Sequence, residues 1–206
     1  NKKDPILDNV SFVVNANSIT AITGPTGSGK TGVLDVLMKM NKKHTGNILI
    51  DDIEYEKIDD MVFYNLISLV RKEPSFFDLS IKDNLMLVAG NFKEVKKVCS
   101  KLGIHDEIMS LKEGYDTNIN NSSSKISINL KRGIAIARVI LKKSKIIMLD
   151  EIVDTLEEDL QNNVLNVLCE LKNNHTILLI SRESDILAHA DKVIYFESNK
   201  VKRKRN

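Results

Sequence analysis

The chain has 206 residues, of which 42% are hydrophobic and 28% charged, enough apolar content for a buried core and too much for a disordered chain. Lys and Arg number 30 against 28 Asp and Glu, a formal net charge of +2, so no global field selects nucleic acid or an anionic membrane. The aliphatic runs at 146–149 and 177–180 fall far short of the about 20 apolar residues of a membrane-crossing helix, and Cys99 and Cys169, with no metal-ligand spacing, suit a reducing compartment.

In chain order, residues 10–14 and 19–23 have strand character, and the second run leads straight into "GPTGSGKT" at 24–31. Residues 29–40 then carry helical periodicity, and 46–50 form another expected strand. From about 75 to 142 strand-like alternation disappears. Val95, Val98, Cys99 and Leu102 line one helical face there, and Leu130, Ile134, Ala137 and Leu141 line another. The polar run "NINNSSSK" at 118–125 is expected to be a mobile loop. Residues 145–149 and 176–180 are apolar throughout, as in strands buried on both faces, and 193–196 form a further strand. Between them Leu160, Val164, Val167, Leu168 and Leu171 make 157–172 an amphipathic helix. The alternation implies an α/β fold on a mostly parallel sheet, with a helical subdomain at 75–142 inserted between core segments 1–74 and 143–206.

The glycine run carries the chemistry. Gly24, Gly27 and Gly29 stand where the backbone must curl with positive φ and bring amides against an anion. Lys30 supplies a charge to the β and γ phosphates and Thr31 a hydroxyl to Mg²⁺, while the following helix directs its positive end at the nucleotide. The nucleotide-binding segment is therefore Gly24, Pro25, Thr26, Gly27, Ser28, Gly29, Lys30, Thr31 and Gly32. A second acidic site follows at "IIMLDE", 146–151, the tip of a buried strand. Asp150 is the expected Mg²⁺ ligand beside Thr31, and Glu151 the residue that orients or deprotonates the attacking water, so Glu151 and Lys30 form the catalytic pair. The guanine-reading pattern Asn-Lys-x-Asp occurs only at residues 1–4, ahead of the loop, where it cannot serve a GTPase.

With loop and acidic tip in place, the sequence resembles the nucleotide-binding domain of ATP-binding cassette (ABC) transporters, a P-loop NTPase, over nearly all its length. The resemblance runs through "ILDNVSF" (6–12), "TGNILID" (45–51), the exporter-like "PSFFDLSIKDNL" (74–85) and "EGYDTNI" (113–119), "RGIAIARVIL" (132–141) and "IIMLDE". It implies an ATP-hydrolysing domain with ATP and Mg²⁺ as cofactors. Its implied partners are a second nucleotide-binding domain, like or unlike this chain, and the transmembrane domains of a transporter, at the cytoplasmic face of a membrane and with no nucleic acid. The first residue is Asn1 and no signal pattern follows, so the chain is expected to be an excised piece or a separate subunit.

Three positions depart from the family. Lys72 aligns with the glutamine that touches Mg²⁺ and water, and a protonated lysine cannot ligate metal. The signature Leu-Ser-Gly-Gly-Gln aligns with Ile126, Ser127, Ile128, Asn129 and Leu130, so Ser127 alone survives. Arg182 stands in place of the histidine at the γ-phosphate. The resemblance thus implies MgATP binding, with hydrolysis slow or dependent on an unlike partner. The alternatives are a regulatory, non-hydrolysing half of a heterodimer and a soluble ABC ATPase. The basic tail at 200–205 is a solvated chain end, the four histidines share no metal-ligand spacing, and Ser122, Ser123 and Ser124 lack a catalytic partner.

Overall fold

The structure is a computed structural model describing residues 7–41, 44–120, 126–197 and 200–202. Its core is a sheet of β4 (Ile67–Arg71), β5 (Ile146–Asp150), β6 (Thr176–Ile180), β1 (Ile19–Thr23) and β7 (Lys192–Glu197), in that spatial order and all parallel. A short β8 (Lys200–Lys202) pairs antiparallel with β7 at the edge. Alternate residues on these strands feed opposite faces. Ile147, Leu149, Ile177 and Leu179 join one hydrophobic cluster, while Ile22, Met148, Leu178 and Ile180 join the other.

The second cluster packs under α1 (Lys30–Leu37) and around Tyr55 and Phe63, beside a hairpin of β2 (Leu49–Ile50) and β3 (Ile53–Glu54) and the short α2 (Asp60–Leu66). The first lies against α7 (Glu158–Leu171) and the helices between β4 and β5. These are α3 (Ile81–Met86), α4 (Phe92–Lys101), α5 (His105–Ser110) and α6 (Ile128–Lys142). Val95, Cys99, Leu102, Leu130, Ile134, Ala137 and Leu141 are all buried, and Val98 packs partly buried beside them. A short α8 (Ser184–Leu187) precedes β7.

Three expected elements change. Residues 10–14 are extended but form no strand ladder among the described residues. Their alternation is real, because Val10, Phe12 and Val14 pack on the second cluster and Phe12 meets Phe196 edge-on at 6.2 Å between ring centroids, but what reaches their backbone from β7 is a side chain, Lys192 donating to the Val13 carbonyl at 2.6 Å. The helix expected over 29–40 stops at Leu37 because Lys39 takes a left-handed φ of 57°. The strand expected over 46–50 shrinks to Leu49–Ile50, where the chain turns sharply through Asp51 and Asp52, both at positive φ. Sequence reasoning passed over β4 altogether, although "ISLVR" is an apolar run at the end of a helix. Residues 121–125 of the expected mobile loop, and 203–205 of the basic tail, lie outside the described residues.

Candidate functional site

Strand register gathers the polar residues onto one edge of the sheet. At the carboxyl end of the strands Arg71 stands opposite Asp150, Asp150 opposite Ile180, and Ile180 opposite Ile22. The chain leaves β1 one residue later into the glycine loop, and leaves β6 into Ser181 and Arg182. Ligands in parallel α/β sheets bind at this edge.

The loop has the conformation its glycines predict, with φ of 142° at Gly24, 81° at Gly27 and 90° at Gly29, the N-cap of α1. A Cβ on Gly27 would meet nothing within 4 Å, so the loop's crown faces open space. The first amides of α1 have no intrahelical acceptors, as at any helix start. Lys30 is buried and folds over the loop, donating from Nζ to the carbonyls of Gly24 at 2.8 Å and Pro25 at 2.9 Å. Burial lowers its pKa, opposed chiefly by the nearby Glu151 charge. Ser28 is also buried, and its hydroxyl has no partner among the described residues.

Thr31 donates its hydroxyl to Asp150 Oδ1 at 3.2 Å. Hydroxyl and carboxylate together offer hard oxygens, the donor type that suits Mg²⁺. Among the described residues no group of three or more His, Cys, Asp or Glu forms a cage of its own, and Mg²⁺ in phosphate sites commonly takes only one or two protein ligands. The donors present therefore fit Mg²⁺ carried in with a nucleotide.

Glu151 adopts φ 50°, a left-handed conformation that costs a non-glycine residue about 1–2 kcal/mol. Its amide is held by the carbonyl of Ile180 at 3.2 Å, which turns the chain off the strand tip. Arg182 extends across to it, with Nε 3.8 Å from Glu151 Oε1 and Nη1 donating to Thr26 Oγ1 at 2.9 Å. Thr26, Lys30, Thr31, Asp150, Glu151 and Arg182 thus form one cluster. Lys72 is exposed just past the tip of β4 and makes no hydrogen bond or ion pair among the described residues. Ser127 stands in a different environment: it caps α6 by accepting from the Leu130 amide at 2.9 Å and donates to Glu107 at 3.0 Å.

Three residues that sequence reasoning missed complete the geometry. Asp154 accepts from the Arg182 amide at 3.1 Å and lies beside the Ser181 hydroxyl. Arg71 sits between Asp35 and Asp150, at 2.5 Å and 3.6 Å. Asp35 was findable, since it lies four residues after Thr31 on the same helix and so on the same face.

Burial raises the pKa of both Asp150 and Asp154. For Asp150 the Thr31 hydrogen bond and the Arg71 charge oppose the rise without cancelling it. A raised folded pKa means that stability is fully present below the ordinary carboxylate value near 4 and is lost as pH climbs through the folded value. The nucleotide-free chain therefore carries an unfavourable buried charge at neutral pH. Asp150→Asn is expected to raise the melting temperature at about pH 7–8. The gap from wild type should close as pH falls toward about 4, and melts across that range check it.

The fold and the glycine loop define a P-loop nucleotide-binding domain. The ABC transporter family model matches residues 7–154, and the chain belongs to that family. It is 31% identical over 190 residues to a beta-(1→2)glucan export ATP-binding/permease protein of Brucella abortus, covering 91% of this chain and 32% of that protein. A human ABC-type oligopeptide transporter is 28% identical over 198 residues, covering 95% of this chain and 26% of the transporter. Among solved structures, a bacterial Atm1-family ABC exporter with ATP bound superposes with a TM-score of 0.89 at 26% identity, covering 96% of this chain and 35% of that one. The chain is thus an ABC ATPase domain homologous to exporter ATP-binding proteins, and it spans about a third or less of the length of these relatives. No described helix is long and apolar enough to cross a membrane.

Proposed function

We propose that this chain is the motor domain of an ABC exporter, binding MgATP through residues 24–32 and Asp150 and coupling its binding and hydrolysis to transport. The observation that carries the reading is the convergence of Lys30, Thr31, Asp150 and Glu151 on one sheet edge, over a loop whose crown is open. Thr31 and Asp150 would hold Mg²⁺, which when bound offsets charge on the phosphates. Lys30, released from the loop carbonyls, meets the terminal phosphates, and Glu151, aimed by its left-handed backbone, positions and deprotonates a water. The working assembly is a pair with a second nucleotide-binding domain, joined to transmembrane domains at the cytoplasmic face of a membrane.

Hydrolysis by the chain alone is slow. Ile128, where the family has glycine, is 57% exposed at the start of α6, and Asn129 is committed to the Glu157 amide at 3.1 Å. Side chains at these positions hinder the approach of bare amides to a partner's nucleotide. These residues favour a second reading, a regulatory half that binds nucleotide and leaves turnover to an unlike partner. Single-turnover hydrolysis with and without the partner domain separates the two.

Calorimetric titration tests the site. MgATP should bind, and Lys30→Ala should weaken it roughly 10–100-fold, the loss of a charge-assisted contact of about 1.5–3 kcal/mol. No heat with wild type, or unchanged affinity in the variant, would overturn the assignment.

A further inference from the structure

We propose that Arg71 is a positioning residue of the magnesium site, holding Asp150 so that its Oδ1 is presented beside Thr31 to the metal. The proposal rests on the nucleotide-binding reading above and adds to it a residue that acts through the metal ligand alone. Arg71 is the last residue of β4, in register with Asp150 at the tip of β5. Its Nη1 stands 3.6 Å from Asp150 Oδ2. Its Nη2 donates to Asp35 Oδ1 at 2.5 Å and lies 3.4 Å from Met40 Sδ. The other oxygen of Asp150, Oδ1, accepts from Thr31 at 3.2 Å. Thr31 and Asp35 are one turn apart on the same face of α1. Thr31, Asp35, Arg71 and Asp150 therefore close a ring across α1, β4 and β5, in which the hydroxyl and the carboxylate oxygen that suit Mg²⁺ are neighbours.

A carboxylate held at one oxygen can still turn about its terminal bond, where the torsional wells are broad. The guanidinium at Oδ2 opposes that rotation, and Asp35 in turn fixes the guanidinium. Arginine suits the task because its planar fork offers separate nitrogens at fixed angles to two carboxylates, whereas a lysine ammonium is a point charge on a flexible stem. Groups that orient a metal's ligands are worth about 10–100-fold in metal affinity or activity. Asp35 also offsets the positive charge that Arg71 brings toward the metal, so orientation sets the sign of the effect. Asp35 and Arg71 are both only partly buried, and exchanging them leaves the two hydrophobic clusters untouched.

Calorimetric titration of ATP in excess Mg²⁺ and in excess EDTA tests this. Wild type should bind more tightly in Mg²⁺. Arg71→Met should lose roughly tenfold in Mg²⁺ while its affinity in EDTA stays within about threefold of wild type, and Arg71→Lys should behave like Arg71→Met because one ammonium cannot replace the fork. An unchanged or tighter Mg²⁺ affinity in Arg71→Met overturns the proposal and leaves the nucleotide site standing. So does a loss of equal size in both buffers, which would mark general damage to the fold rather than a misplaced metal ligand. Absence of ATP binding by wild type in both buffers overturns this proposal and the nucleotide-binding reading together. Should Arg71→Met fail to fold, Asp35→Asn decides: it keeps Arg71 and weakens its tether, so it should show the same loss confined to Mg²⁺, and wild-type affinity in Mg²⁺ would overturn the proposal.

Discussion

Gly24→Ala is expected to destabilise the chain by about 3–4 kcal/mol and to abolish measurable ATP binding. Two independent costs add. The residue sits at φ 142°, a backbone region that side chains rarely adopt. A Cβ there would also lie 2.2 Å from the carbonyl oxygen of Phe196 and 3.1 Å from its carbon, well inside contact. That neighbour is the backbone of β7, hydrogen-bonded beside β1 and unable to swing aside as a flexible side chain does. Either the loop or β7 must move, and a moved loop no longer directs its amides at an anion. In a chain of this size the cost is roughly 10 °C of melting temperature. Gly27→Ala is the control: its φ of 81° carries strain, but the new Cβ meets nothing within 4 Å. It should cost only about 1 kcal/mol. Thermal melts and ATP titration of both variants check the contrast, and equal melting temperatures would show that the Phe196 contact does not decide the position.

How much of this was legible in the sequence depends on where each constraint acts. Gly24, Lys30 and Thr31 are neighbours in the chain, and local spacing carries their geometry. Asp150 and Glu151 stand out because acids end a strand that is otherwise apolar. Arg71 carried no such signal. Its role comes from strand register, which sets it opposite Asp150, and from Asp35 on another element; neither is a property of the run "ISLVR". Asp154 is hidden for the same reason, since its partner is the Arg182 amide 28 residues away. The strand expected over residues 10–14 failed in the reverse sense. Alternation reports which side chains face inward, and Val10, Phe12 and Val14 do so, but it says nothing of whether another strand takes the backbone hydrogen bonds. Asn129 was read only as a lost signature glycine, whereas the fold uses its side chain on the Glu157 amide beside α7.

Asn84→Ala should lower stability by about 2 kcal/mol, and a surface reading of its polarity would never predict it. The residue is fully buried on α3. Its Oδ1 accepts from the Phe77 amide at 3.1 Å, and its Nδ2 faces the carbonyls of Phe77, Leu79 and Ser80 at 3.1, 3.3 and 3.0 Å. One side chain thus satisfies the backbone of the turn that carries the chain from β4 into the helical segment. Alanine would leave the Phe77 amide without its acceptor, at about 1–3 kcal/mol before relaxation, while the three carbonyls each keep a backbone donor, the amides of Leu79, Ile119 and Asn84. The rest of the turn is pinned separately, by Arg138 donating to the Ser75 carbonyl at 2.9 Å and lying 5.2 Å from the Phe76 ring centroid. The variant should therefore loosen residues 77–80 and leave the sheet intact. Hydrogen exchange should accelerate at the Phe77 amide, with a melting point roughly 4–8 °C lower. ATP affinity should stay within about twofold, because none of the clamped groups touches the phosphate loop. A large loss of affinity instead would mean that this turn, which begins just past the Arg71 strand tip, transmits its order directly to the nucleotide.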